Sequence, residues 1–309
     1  MSARVLVVDD ILANRRLMQA KLEAKYYTVL LAESGKQALR SALHDQPEII
    51  LLDVMMPEMD GYEVCRRLKD NPRTRHIPVV MLTALGDSDD RIRGLEAGAD
   101  DFLTKPVDDF SLIARLGALN RYNAVTTELR KRESTGKQSS AFTPEELDSL
   151  QQPGRILVID SHDRQAEFVA KALREAGHIA FTLKADGSAE ATAKGKIDVV
   201  FISLSQQSFD PLRLCAHFRT DQATRAISII VSCDPADQDL AGQALGLGAS
   251  DVITSPVIAE ELKARVNTQL RRTRYVDILR QRVDRGLELS VIDQLTELEI
   301  SCCRSLQSG

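Results

Sequence analysis

The chain repeats itself. Arg4-Val5-Leu6-Val7-Val8-Asp9-Asp10 returns as Arg155-Ile156-Leu157-Val158-Ile159-Asp160-Ser161, displaced by 151 positions. Asp101-Phe102-Leu103-Thr104-Lys105-Pro106 returns as Asp251-Val252-Ile253-Thr254-Ser255-Pro256, displaced by 150. Between them, Gly94 to Asp100 is echoed by Ala244 to Ser250. A displacement held nearly constant over so long a stretch means a duplicated domain, not a short solenoid repeat. At roughly 100–200 residues per domain, 309 residues hold two such copies, each able to bury a core.

Within the first copy, short apolar runs alternate with longer helical patterns. The runs are Val5–Val8, Thr28–Leu31, Ile49–Leu52, Val79–Leu82 and Asp101–Leu103. Unbroken hydrophobicity over four or five residues marks a strand buried on both faces, and hence a parallel sheet. Leu12, Leu17 and Leu22 sit on one intervening helix, and an amphipathic helix begins at Gly35. Strand and helix alternating five times predict an α/β, doubly wound, five-stranded parallel sheet. The second copy keeps the runs Ile156–Ile159, Val199–Ile202, Ile227–Val231 and Val252–Ile253, so the chain is expected to hold two such domains in tandem. Pro78 and Ser228 are expected just before the fourth strand of each copy.

The expected boundaries are 1–122 for the first domain, 123–152 for a helical and polar linker, 153–270 for the second domain and 271–309 for a C-terminal helix and tail. The linker passes through a polar stretch, Ser134 to Ser140, and then Thr143-Pro144-Glu145-Glu146, where threonine can cap a short helix with proline at its first position. Glu260 to Leu298 reads as one long helix with an apolar stripe of Val276, Leu279, Val283, Leu287, Val291 and Leu295. Arg271, Arg272, Arg274, Arg280, Arg282 and Arg285 read as a solvated face of that helix.

Composition removes several function classes. Forty basic residues against 45 acidic ones leave a net charge of −5, which argues against nucleic acid as a partner. Charged residues break every apolar stretch before the ~18 residues that a membrane span needs. Five cysteines, Cys65, Cys215, Cys233, Cys302 and Cys303, form no CxxC pair, which suits a reducing cytoplasm. His44, His76, His162, His178 and His217 lack metal-ligand spacing. Leu245-Gly246-Leu247-Gly248-Ala249 follows a helix, not a strand, and is read as a turn, not a dinucleotide loop. Tyr26 and Tyr27 stand either as exposed aromatic anchors or as residues buried at the sheet edge.

In an open α/β sheet, ligands bind at the carboxyl ends of the strands. Asp9 and Asp10 close the first strand, Asp53 the third and Thr83 the fourth, and Lys105 follows the fifth. Three carboxylates on one rim repel one another unless a cation sits among them, and oxygen ligands suit Mg²⁺ or Mn²⁺. Lysine supplies a point charge and threonine a hydroxyl for phosphoryl oxygens. An aspartate that forms an acyl phosphate needs this combination.

Val7-Val8-Asp9-Asp10, Leu51 to Gly61, Leu82-Thr83-Ala84 and Thr104-Lys105-Pro106 together resemble the receiver domain of two-component response regulators over about the first 120 residues. The resemblance implies strand order 2-1-3-4-5. It implies that Asp53 accepts a phosphoryl group from a histidine kinase or histidine phosphotransfer protein. It further implies that Asp10, Asp53 and the Met55 carbonyl hold Mg²⁺, with Asp9 contributing directly or through water. Thr83 and Phe102 fall at the family's switch positions, and Lys105-Pro106 is expected to be cis.

The second copy has lost this chemistry. Asp10 is matched by Ser161, Asp53 by Ser203, Thr83 by Cys233, Phe102 by Val252 and Lys105 by Ser255, and only Asp160 survives of the acidic trio. It is expected to be a pseudo-receiver serving as an interaction surface. A receiver, a pseudo-receiver and a helix ending Asp293-Gln294-Leu295-Thr296 resemble PleD-type response regulators, which carry a diguanylate cyclase domain after that sequence. No Gly-Gly-Glu-Glu-Phe occurs here, and Glu297 to Gly309 has no counterpart, which reads as truncation, frameshift or deliberate shortening. The expectation is a cytoplasmic, non-enzymatic switch that changes conformation and homodimerises when Asp53 is phosphorylated. The alternatives are a truncated cyclase and an output-less phosphate sink.

Overall fold

The computed structural model describes residues 3–83, 88–135, 142–183, 196–205 and 209–306, with the side chains of 88, 89, 134, 135, 238 and 286–306 excepted. In the first copy the order is β1 (Arg4–Val8), α1 (Leu12–Glu23), β2 (Thr28–Ala32), α2 (Gly35–Asp45), β3 (Ile49–Asp53), α3 (Gly61–Asp70), β4 (Val79–Thr83), α4 (Ser88–Glu96), β5 (Asp101–Thr104) and α5 (Asp109–Thr135). The short α6 (Pro144–Ser149) follows. The second copy contains β6 (Arg155–Ile159), α7 (Asp163–Glu175), β7 (Ile179–Leu183), β8 (Val199–Ser203), α8 (Pro211–Thr220), β9 (Ser228–Cys233), α9 (Gln238–Gly246), β10 (Asp251–Thr254) and α10 (Ala259–Leu306). The sheets run β2-β1-β3-β4-β5 and β7-β6-β8-β9-β10, every pairing parallel.

Why the strands read as unbroken apolar runs is visible in their packing. Successive side chains of a strand point to opposite faces, and here both faces are covered. Val5, Val7, Ile49, Leu51, Val80 and Leu82 pack with Met18 and Leu22 of α1 and Leu112 and Leu116 of α5. Leu6, Val8, Ile50 and Leu52 pack on the other face with residues of α2, α3 and α4, Ala38, Val64, Leu68 and Leu95 among them. The second copy repeats the division: Ile156 and Val158 face Val169, Leu173 and Leu262, while Leu157 and Ile159 face Cys215, Phe218 and Leu245.

Several expectations need correction. Leu12 and Leu17 of α1 are exposed, and the buried face is Arg15, Met18 and Leu22, spaced three and four apart. The runs named for the second copy omit β7, an edge strand with only one fully buried residue. Ser228 is the first residue of β9, not the one before it. Tyr26 is largely exposed and Tyr27 half-buried. Gly248, with φ of +112°, turns the chain from α9 into β10 as Gly98, at +93°, does from α4 into β5, so the glycines at 246 and 248 belong to a helix end.

The chain forms two compact units, Met1–Asn123 with Pro153–Leu270, and Ala124–Gln152 with Arg271–Gly309. In the second unit, Thr143 and Glu146 make the capping box expected of α6. The arginines of α10 are not one solvated face. Arg272 is buried, Arg274 donates to the carbonyls of Leu150 and Gln152, and Arg282 pairs with Glu133 and Glu146 beneath the Phe142 ring. Residues 136–141 of the polar linker, Ala84, and the side chains of Leu287, Val291 and Leu295 lie outside the described residues.

In the first unit the two copies touch through repeat-related residues. Ala114 of α5 packs on the second copy's core, and Ala264, displaced by 150, packs on the first copy's. Phe110 lies where a side chain at Gly242 would have to go, its ring 1.7 Å from an added Cβ. Asp101 pairs with Arg115 at 2.6 Å and Asp251 with Arg265 at 2.5 Å, each within one copy. The pairs also cross, Arg265 to Asp101 at 3.2 Å and Arg115 to Asp251 at 3.7 Å. Reciprocal contact of i with j and j with i is the mark of an isologous interface, here between the halves of a single chain.

Candidate functional site

Four of the five strands of the first sheet, β1, β3, β4 and β5, bring residues to the same rim. Asp9 and Asp10 leave β1 directly after Val8, Asp53 ends β3, and Thr83 ends β4. Lys105 follows β5, and its peptide bond to Pro106 is cis. The turn after Asp53 is held by Gly61, the first residue of α3. Its N–H donates to the Val54 carbonyl at 3.0 Å, and an added Cβ would stand 2.3 Å from the Asp53 carbonyl oxygen. Only glycine lets the helix come that close. Asp60 caps the same helix by accepting from the Glu63 N–H at 2.8 Å.

The carboxylates converge. One oxygen each of Asp9, Asp10 and Asp53 lies within 4.8 Å of the others, and among the described residues no other group of three ligating side chains does this. The Lys105 ammonium bridges two of them, 2.8 Å from Asp9 and 3.0 Å from Asp53. Burial pushes the Asp53 carboxyl above the usual aspartate range, and repulsion from Asp9 adds to it; Lys105 and the Met55 N–H work the other way. Burial alone would lower Lys105, but its two carboxylate partners hold it above the usual lysine value. One oxygen of Asp10 is buried with no hydrogen-bond donor among the described residues. A buried carboxylate oxygen lacking a donor, beside two further carboxylates, fits a hard divalent cation.

Thr83 is buried at the rim, and its carbonyl accepts from the Lys105 N–H at 2.7 Å. Phe102 is buried behind it, on β5. Two guanidinium groups lie over its ring, Arg91 of α4 at 5.1 Å and Arg265 of α10 at 4.5 Å. Arg265 is itself 1% exposed and bonds Glu261 at 2.9 Å as well as Asp101 and Asp251. Burial would lower its pKa, yet the three carboxylates raise it above the ordinary arginine value. Arg91 in turn lies 3.5 Å from Glu261. The ring at the expected switch position therefore rests against a buried charge cluster to which both copies contribute.

Sequence reasoning brought Asp9, Asp10, Asp53, Thr83 and Lys105 to one rim, and the structure places them there. Met55 lies two residues past β3 with an exposed side chain, and its N–H donates to Asp53. Two contributors went unread. Asn14 donates to both oxygens of Asp9, and its signal was a side-chain amide one helical turn beyond the acidic pair. Arg265 was marked only by its equivalence to Arg115 at the same displacement of 150 that relates Asp251 to Asp101. In the second copy the rim is Asp160, Ser161, Ser203, Cys233 and Ser255, and Asp160 and Ser203 are both buried.

Strand order 2-1-3-4-5, an aspartate trio at the carboxyl rim and a lysine after the fifth strand define a class, and comparison with known proteins agrees. The family profile of the response regulator receiver domain matches residues 5–117 and again 156–267, and the chain belongs to that family. It is 48% identical over 300 residues to Response regulator PleD of Caulobacter vibrioides, covering 96% of this chain and 65% of that protein. It is 38% identical over 148 residues to the DNA-binding dual master transcriptional regulator RpaA of Synechocystis, covering 48% of this chain and 61% of that one. A solved putative response regulator from Chloroflexus aurantiacus is 35% identical, with a TM-score of 0.38, covering 39% of this chain and 99% of its own. The chain thus spans less than two thirds of the length of these two curated relatives. Receiver domains generally bind Mg²⁺ at an aspartate cluster such as this one, and they are phosphorylated by histidine kinases or phosphotransfer proteins. No helix among the described residues is long and apolar enough to cross a membrane.

Proposed function

We propose that residues 1–122 are the phosphoacceptor receiver of a two-component relay and that Asp53 is the acceptor. The observation that carries this is the shared rim, with three carboxylates within 4.8 Å and Lys105 bonded to two of them. A carboxylate oxygen of Asp53 attacks phosphorus, the P–N bond to a donor imidazole breaks, and the imidazole leaves with the bonding pair and takes up a proton. Asp10, Asp53 and the Met55 carbonyl are the residues that would hold Mg²⁺ or Mn²⁺. When bound, the cation supplies positive charge against the phosphoryl oxygens. Lys105 then trades its contact with Asp53 for a phosphoryl oxygen, and the Thr83 hydroxyl donates to another. Drawing Thr83 inward opens space for Phe102 to turn, and the new charge biases a two-state equilibrium of a few kcal/mol.

Residues 153–270 act as the pseudo-receiver and residues 271–309 as the outgoing helix, with residues 123–152 linking the copies. The partners are a histidine kinase or phosphotransfer protein and a second copy of this chain. To test the assignment, the protein is incubated with acetyl phosphate and Mg²⁺ and its intact mass is measured. Wild type gains the mass of one phosphoryl group, lost again on mild alkaline treatment. An Asp53→Asn protein that gains the same labile group would overturn it.

A further inference from the structure

The geometry points to Asn14 as a positioning residue of the rim: it holds the Asp9 carboxylate for Lys105 and so keeps Asp9 away from the cation. The inference rests on the proposed phosphoacceptor role of Asp53 and concerns how the same site is set up.

Asp9 is 1% exposed and fully engaged. One of its oxygens accepts the Ile11 N–H at 2.9 Å and the Asn14 side-chain amide at 3.1 Å. The other accepts Lys105 at 2.8 Å and the same Asn14 amide, again at 3.1 Å. A carboxylate offers about four acceptor directions, and all are taken. Asp10 presents the opposite case, with one buried oxygen that no described residue serves. The two neighbouring carboxylates are therefore prepared for different partners, Asp9 for the ammonium and Asp10 for the metal.

Asn14 and Arg15 divide the work on α1. Arg15 donates to the Asp9 main-chain carbonyl at 2.5 Å and fixes the backbone, while Asn14 fixes the side chain. The second copy is an internal control. Asp160 still accepts the His162 N–H at 2.8 Å, just as Asp9 accepts that of Ile11. Glutamine stands at 165 in place of Asn14, and Ser255 in place of Lys105. The backbone contact survives where phosphoryl chemistry is lost, whereas the asparagine gives way to a longer glutamine and the lysine to serine. That pattern ties Asn14 to the site and the Ile11 contact to the turn.

Removing the amide frees two acceptor directions on Asp9. The carboxylate can then reach the cation, and the lysine loses its fixed anchor. The test uses the full chain with Asn14→Ala and Asn14→Leu, both better helix formers than asparagine, so that α1 persists. Calorimetric titration with Mg²⁺ alone should give a dissociation constant about three- to tenfold lower than wild type. The rate of phosphoryl uptake from acetyl phosphate at saturating Mg²⁺ should fall by a similar factor. A merely structural defect would weaken both, so tighter metal with slower transfer is the signature. Mg²⁺ affinity unchanged or weakened in both variants overturns the role of Asn14. Wild-type protein that takes no phosphoryl group at Asp53 overturns the underlying assignment instead, and the two failures are told apart by that control.

Discussion

Replacing Arg265 by methionine keeps most of the side-chain volume and removes one charge from a cluster that is otherwise balanced. Asp101, Asp251 and Glu261 face Arg91, Arg115 and Arg265, three against three. At an effective dielectric of about 20, each contact near 3 Å has a gross attraction of roughly 5 kcal/mol. Much of that is cancelled by the cost of taking a guanidinium out of water, which is several kcal/mol. What the substitution exposes is the remaining imbalance. Asp101 keeps Arg115 at 2.6 Å and Glu261 keeps Arg91 at 3.5 Å, but Asp251 is left with Arg115 at 3.7 Å and two neutral donors, the Val252 N–H at 2.7 Å and the Gln269 amide at 3.3 Å. Stranding one buried carboxylate costs about 3–5 kcal/mol, and because partial partners remain the lower end applies, about 3 kcal/mol. With a urea slope of about 3 kcal/mol per molar, the unfolding midpoint drops by about 1 M.

The chain has no tryptophan, so far-UV circular dichroism is the probe. The sign of the pH dependence follows from the same charges. Burial already holds the Asp251 carboxyl above the usual aspartate value, and without Arg265 it rises further and Asp101 rises with it. The deficit is therefore full at neutral pH and shrinks as the pH falls and one of them takes a proton. Arg265→Met combined with Asp251→Asn should recover most of the loss. A deficit under about 1 kcal/mol, as for an exposed pair, or one that does not change with pH, would refute the reasoning.

Other outcomes follow from the rim. Asp53→Asn should be more stable than wild type at neutral pH, because burial disfavours the ionised acid; the advantage fades on acidification as wild-type Asp53 gains its proton, and thermal melts across pH read this directly. Lys105→Gln removes the group that lowers the Asp53 pKa, so the acid limb of the pH profile for phosphoryl uptake should move to higher pH. Gly61→Ala drives a methyl group against the Asp53 carbonyl and should cost about 1–3 kcal/mol, with slower phosphoryl uptake. Arg282→Gln should speed amide exchange in residues 142–152, where Arg282 holds Glu146 and Phe142, and leave Asp53 phosphorylation unchanged.

How far the sequence could be read depended on the kind of signal each residue left. Central strands such as β3 are apolar up to the residue at the rim because helices cover both their faces, and that signal is strong. The edge strand β7 buries only Ala180 and carries a threonine among its five residues, so no such run marks it. On α1 the eye follows leucines, but Leu12 and Leu17 are five apart and fall off the buried stripe that Arg15, Met18 and Leu22 define. The aspartates and Lys105 were legible because each sits next to a strand end. Asn14 acts from a helix across a turn, and Arg265 acts on Phe102 from the other copy, 163 positions away. Contacts of that kind depend on how elements pack, which local pattern does not carry.

The most direct test is to trap the acyl phosphate where it forms. After incubation with acetyl phosphate and Mg²⁺, borohydride reduces an aspartyl phosphate to homoserine, and peptide mass spectrometry locates it. Homoserine at position 53 alone is the predicted result. Homoserine at Asp9, Asp10 or Asp160 with position 53 unmodified would contradict the account.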